Sequence, residues 1–233
     1  MEAFEIVRLI IVFVFMVIVL FRLIAKLFFK SNPMTAKFIA RTAVFSAISI
    51  ILYTVPFLKF SLPIFPAFLE IHLDEIPAFM AGFAYGPLSG FLVILVKTIV
   101  KLPLTGTAGV GELADFIYSS AFIIPAAIIY KKHRSVIGAL VSLLIATLIQ
   151  VLTSSLITSF LILDFYIFMM GFPKGAILGM CQAANPRITS LGWTFWAYVG
   201  VPFNAMKDAM VVAITFLLYK RLHRVIDKLG ENH

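Results

Sequence analysis

VIGALVSLLIATLIQVLTSSLITSFLIL, from Val136 to Leu163, contains no charged residue and no alternation of apolar with polar positions. A membrane-spanning helix needs roughly twenty mostly apolar residues, whereas a barrel strand needs about ten that alternate. The stretch therefore reads as a membrane helix, long enough to cross with tilt. Further runs of this kind lie on both sides of it, at about Leu9–Phe29, Ala36–Leu58, Ile76–Tyr85, Leu88–Leu102, Glu112–Tyr130 and Phe195–Tyr219.

Composition leaves no room for a soluble alternative. Apolar residues make up 62% of the 233 and charged residues 13%, with a mean hydropathy of +1.06. Soluble domains run nearer half apolar and a quarter charged. The net charge of +8 is not a nucleic-acid signature. Of the nineteen Lys and Arg, five lie from Arg22 to Arg41, three at Lys131, Lys132 and Arg134, and four from Lys220 to Lys228. These twelve flank apolar runs, as cytoplasmic loops do, and no soluble basic surface remains to hold nucleic acid. The single Cys181 excludes an internal disulfide and a Cys-rich metal site.

Following the turns gives an all-α integral membrane protein with six core helices and both core termini inside. Residues 1–33 form an accessory N-terminal hydrophobic helix, whose leading end is not net basic as a signal peptide would be, and 34–233 form the membrane domain. Three loops face out: Pro56 to Asp74, Pro103 to Gly111, and Asp164 to Thr194. The long connections face out and the basic ones face in, which fits capture of something from outside.

Few residues carry chemistry. Gly106 to Gly111 has the glycine spacing of a phosphate loop, but Glu112 follows where Lys is required. This segment is read as a flexible loop, with Glu112 and Asp115 at the start of a helix whose dipole favours acids, and the chain has no ATP site of its own. His72, Asp74 and Glu75 match no common metal-ligand spacing and are read as helix-start acids beside an interfacial His. Asn204 and Lys207 lie one turn apart on one helix face, inside the last span. A Lys in lipid is costly and faces a polar cavity or a partner by default; Lys97, in the third core helix, invites the same reading. Ala36, Ala40, Ala43 and Ala47 form a small-residue face on the first core helix, suited to packing within the bundle or docking on a partner protein. Trp193, Trp196 and Tyr198 read as an interfacial aromatic belt.

Four motifs occur in a characteristic order: Leu69–Pro77, Tyr85-Gly86-Pro87-Leu88-Ser89-Gly90, Gly109–Phe116, and Pro202-Phe203-Asn204-Ala205-Met206-Lys207. Together they resemble the substrate-binding (S) components of energy-coupling factor (ECF) vitamin transporters, and within that group most of all the riboflavin-specific member. The resemblance covers about Met34 to Arg224. It implies a six-helix transmembrane bundle that binds its vitamin near the outer face of the cell membrane. It implies no ATPase site and no cofactor. The partners would be a transmembrane coupling (T) component and two cytoplasmic ATPase subunits. Ala43 and Ala47 would dock on that component, with Ala36 and Ala40 extending the face.

Asn204 and Lys207 match the family's ligand-contacting Asn and Lys residue for residue, and backbone around Leu69 and Glu70 would line the first-loop side. The family's ligand-contacting Asn of the fifth core helix is replaced near Thr158, which offers a weaker contact. These departures keep open an S component for another vitamin such as folate or pantothenate. An intramembrane enzyme or a ligand-free assembly subunit are the more distant readings.

Overall fold

A computed structural model describes residues 35–231, together with Ile11, Ile18, Val19 and Arg22, four helical positions of the leading segment. The accessory helix expected over residues 1–33 otherwise lies outside the described residues. Nine α-helices are described: α1 Ala36–Thr54, α2 Glu75–Tyr85, α3 Pro87–Lys101, α4 Val110–Lys132, α5 Val136–Ile157, α6 Leu163–Met170, α7 Lys174–Ala184, α8 Trp193–Phe195 and α9 Val201–Glu231. A π-helical turn, Thr158–Ile162, joins α5 to α6, and a second, Trp196–Gly200, joins α8 to α9.

Five helical stretches among the described residues are long and apolar enough to cross a membrane: Ala36–Thr54, Pro87–Leu104, Val110–Lys132, Val136–Phe168 and Trp193–His223. The element expected at Ile76–Tyr85 forms as α2 but has only 11 residues, a rise of about 16 Å against a hydrocarbon core of about 30 Å. Ten of those 11 residues are buried, so α2 sits inside the bundle. Large apolar side chains elsewhere face outward, Ile137 and Leu148 among them, as lipid permits and water does not.

Local chemistry sets the helix ends. Ser135 accepts the Gly138 amide at 2.9 Å to start α5, and Thr35 caps α1 through the Phe38 amide at 3.2 Å. Gly86 at φ +92° makes the uncharged turn between α2 and α3, and Pro87 enters at the first helical position, where its missing donor is not needed. The loop expected over Asp164 to Thr194 is different from its expectation. With no glycine or proline before Gly171 the preceding helix carries on to Met170, and α7 then forms within the loop.

Polar bonds and small residues hold the helices together, since apolar contact alone gives no driving force in lipid. Thr42 and Ser89 share a hydrogen bond of 2.8 Å between α1 and α3, and Ser49 donates to the Asp74 carbonyl at 2.7 Å. At the C-terminal end of α4 the hydroxyls of Tyr130 and Tyr219 meet at 2.9 Å, packed on Phe83. Where α2, α3 and α4 converge, a Cβ added at Gly90 would stand 2.8 Å from Ile123 and 3.0 Å from the Ala78 carbonyl. Gly90→Val should therefore destabilise by roughly 1–3 kcal/mol. Thermal unfolding in detergent checks it against Gly179→Val, at a position with nothing within 4 Å of the added Cβ.

Candidate functional site

A cavity of about 200 Å³ lies where α1 ends, α4 begins and the two π turns face each other. Each π turn inserts an extra residue into its helix and re-aims the backbone, a distortion common at functional sites. Thr158, Ile162 and Gly200 from these turns line the cavity. The turns pack closely because Gly200 has no side chain: a Cβ there would lie 3.3 Å from Ser155 and from Ser159. Thr158 shares a hydrogen bond of 2.8 Å with the Tyr118 hydroxyl on α4.

Two loops form the rim. The first is pinned by the one β-bridge found among the described residues, Phe60 to Ile71, with reciprocal amide bonds of 3.1 and 2.8 Å. Beside it Lys59 pairs with Glu70 at 2.7 Å, which presents Leu69 and Glu70 to the cavity. The second loop was expected to be flexible, yet it is knit together. Glu112 accepts the hydroxyls of Thr105 at 2.6 Å and Thr107 at 3.0 Å. Those hydroxyls in turn accept the amides of Gly109 and Gly111, each at 3.0 Å. Tyr53, Phe68, Tyr118, Tyr166, Phe195 and Phe203 supply aromatic walls.

The floor is polar and charged. Asn204 donates to the Gly200 carbonyl at 2.8 Å, which orients its amide and leaves the side-chain oxygen as an acceptor. Lys207 lines the cavity and donates to Glu75 at 2.7 Å. Behind it, Lys97 is fully buried and bonds Asp74, Asp115 at 2.9 Å and Ser119 at 3.2 Å. His72 bonds Asp74 and stands 3.5 Å from Asp115. Three basic groups thus interleave with three carboxylates, the arrangement that buried charge requires.

His72, Asp74 and Glu75 do bring ligand-type atoms within 4.8 Å of one another. Lys97 and Lys207 already pair with the two acids.

Burial acts to lower the pKa of His72, but the Asp74 carboxylate, helped by Glu75, outweighs it and holds the imidazole at about 9, above its ordinary value of about 6.5. A raised folded-state pKa contributes stability that is complete below the unfolded value and lost as pH rises through the folded one. The thermal midpoint should accordingly fall by several degrees as pH rises from about 6.5 toward 9. His72→Gln should flatten that profile, which melting curves across the range will check.

Of the residues singled out from sequence, Asn204, Lys207, Thr158, Leu69 and Glu70 all border this one cavity. Lys97 does not: its ammonium, carried on α3, is spent on Asp74 at the start of α2 and Asp115 in α4. Ala36, Ala40, Ala43 and Ala47 are exposed, while Thr42, Ser46, Ser49 and Tyr53 turn the opposite face of α1 inward. Sequence reasoning missed the acids as lysine partners, the aromatic walls and both π turns. Only the position of Asp74, Glu75 and Asp115 near apolar helix starts hinted at the first.

The family model for the ECF transporter substrate-specific component matches residues 37–219. Riboflavin transporter RibU of Staphylococcus aureus is 28% identical over 189 residues, covering 81% of this chain and 93% of the relative. Riboflavin transporter FmnP of Bacillus subtilis is 29% identical over 198 residues, covering 84% and 98%. A solved structure of the S component of a bacterial ECF transporter superposes with a TM-score of 0.64 at 26% identity, covering 82% of this chain and 97% of that one.

Proposed function

The chain belongs to the family of substrate-specific components of ECF transporters, and from that premise we propose that it captures riboflavin in the cavity floored by Asn204 and Lys207. The protein is a transporter subunit and not an enzyme. The observation that carries the reading is the convergence of Asn204, Lys207, Thr158 and the Leu69–Glu70 loop segment on one aromatic-walled cavity. The names of the riboflavin transporters that the chain resembles over most of its length support it.

Riboflavin suits such a site. Its ring system is flat, uncharged and largely apolar, and one edge alternates carbonyl acceptors with an N–H donor. Aromatic walls with a few placed polar groups are what such a ligand needs. Lys207 donates to a ring carbonyl, and the Asn204 side-chain oxygen accepts the ring N–H. Thr158, already bonded to Tyr118, supplies a weaker contact. Folded protein purified from cells grown with riboflavin should carry flavin absorption bands that are released on unfolding. A colourless preparation that also leaves added riboflavin fluorescence unquenched would count against the reading.

The rest of the functional architecture follows from the same proposal. The cavity faces outside the cell membrane, and α2 is the short sixth member of a six-helix bundle. Ala36, Ala40, Ala43 and Ala47 dock on the coupling component, which brings two ATPase subunits, and the exposure of these four alanines supports that role. Co-expression of all four subunits, with recovery of one complex on the tagged chain, tests the docking.

A further inference from the structure

We infer that Glu75 is the positioning residue that sets the charge selectivity of the cavity: by holding and neutralising Lys207, it makes the floor accept an uncharged ring edge and refuse an anionic one. The inference rests on the reading of the cavity as a flavin site.

Glu75 does not line the cavity; its side chain is 1% exposed and stands behind Lys207. Its Oε1 accepts the Lys207 ammonium at 2.7 Å, and its Oε2 has no hydrogen-bond partner. The nearest other cation is His72, at 3.7 Å from Oε2, and His72 bonds Asp74 instead. Lys97, the second buried ammonium, is committed to Asp74 and Asp115. Glu75 thus gives its hydrogen bond to Lys207, across 132 residues of sequence, with His72 as a more distant ionic neighbour.

The consequence is electrostatic. A lone ammonium on a buried floor would draw anions strongly, because little solvent screens it. Paired with Glu75, Lys207 keeps N–H donors for a carbonyl while its charge is cancelled from behind. Asp115, also on the cavity wall, adds to the penalty for a second negative charge. A neutral ring edge that accepts hydrogen bonds is the chemistry left over.

The test compares riboflavin with 8-hydroxyriboflavin, whose ionised form spreads its negative charge onto the same ring edge. Both affinities are measured on the intact chain in detergent, with the absorbance of the bound probe reporting its ionisation. Glu75→Gln should raise the affinity ratio of anionic probe to riboflavin by roughly tenfold or more, and the bound probe should ionise at lower pH than on wild type. Glu75→Asp should fall between the two. A ratio and an ionisation profile that do not change in Glu75→Gln would overturn the inference, even if both affinities drop together.

If Glu75→Gln does not fold, Glu75→Asp carries the test alone. Its shorter reach loosens the pair and must raise the ratio by about threefold, and an unchanged ratio overturns the inference. Wild-type protein that binds neither flavin would overturn the flavin reading itself, a separate outcome.

Discussion

Lys207→Ala should weaken riboflavin binding by about a hundredfold or more while the protein still folds in detergent. Two losses combine in that figure. The ring loses its charged donor, and Glu75 is left buried with no hydrogen-bonded cation. A hydrogen bond to a charged group is worth roughly 1.5–3 kcal/mol, the uncancelled Glu75 charge adds repulsion toward the ring carbonyl, and each 1.4 kcal/mol is about a factor of ten in affinity. Titration by quenching of riboflavin fluorescence checks the figure. Affinity within about threefold of wild type would remove Lys207 from the site.

The second large effect falls on the fold. Lys97→Met should lower the thermal midpoint by about 10 °C, because Asp74 and Asp115 lose the ammonium that lies between them. Breaking a buried pair from one side costs roughly 3–5 kcal/mol, and about 2–4 °C accompanies each kcal/mol in a chain of this size. Adding Asp115→Asn to Lys97→Met should recover part of the loss, since one of the stranded charges is then removed. The contrast between the lysines is diagnostic: Lys207 acts on the ligand and Lys97 on the structure. Differential scanning of the three variants reads this directly, and a Lys97→Met protein as stable as wild type would contradict the network.

The spans were legible because lipid imposes a length and a polarity that the sequence displays openly, as Val136 to Leu163 does. The Gly86-Pro87 turn was legible from backbone chemistry, and the site lysine from the cost of charge in lipid. That cost marks a residue as needing a partner without saying which. Lys97 and Lys207 look alike in sequence, and only the three-dimensional placement of Asp74, Glu75 and Asp115 tells the structural one from the cavity one. Glu75 is invisible as a partner of Lys207 because 132 residues separate them. The π turns at Thr158–Ile162 and Trp196–Gly200 leave no compositional trace, since each lies inside an apolar helical pattern. The helix continuing through Asp164 was hidden for a related reason: a single acid reads as a loop start when nothing marks the true stop at Gly171.

The pairing of Lys207 with Glu75 also bears on how the chain would hold its ligand. On the proposed function it holds a neutral vitamin and then yields it to a coupling partner. A cavity whose buried charges are already paired, Lys207 with Glu75 and Asp115 with Lys97, gains affinity mainly from shape, stacking and a few directed bonds. Binding should accordingly depend weakly on salt, in contrast to the steep dependence expected of an anionic ligand held by unpaired lysines.

The most direct measurement is an equilibrium titration of the purified wild-type chain with riboflavin, followed by fluorescence quenching and run beside folate and pantothenate as competitors. The account predicts saturable, stoichiometric quenching that neither competitor relieves. No quenching by the protein, with folate or pantothenate bound instead, would contradict it.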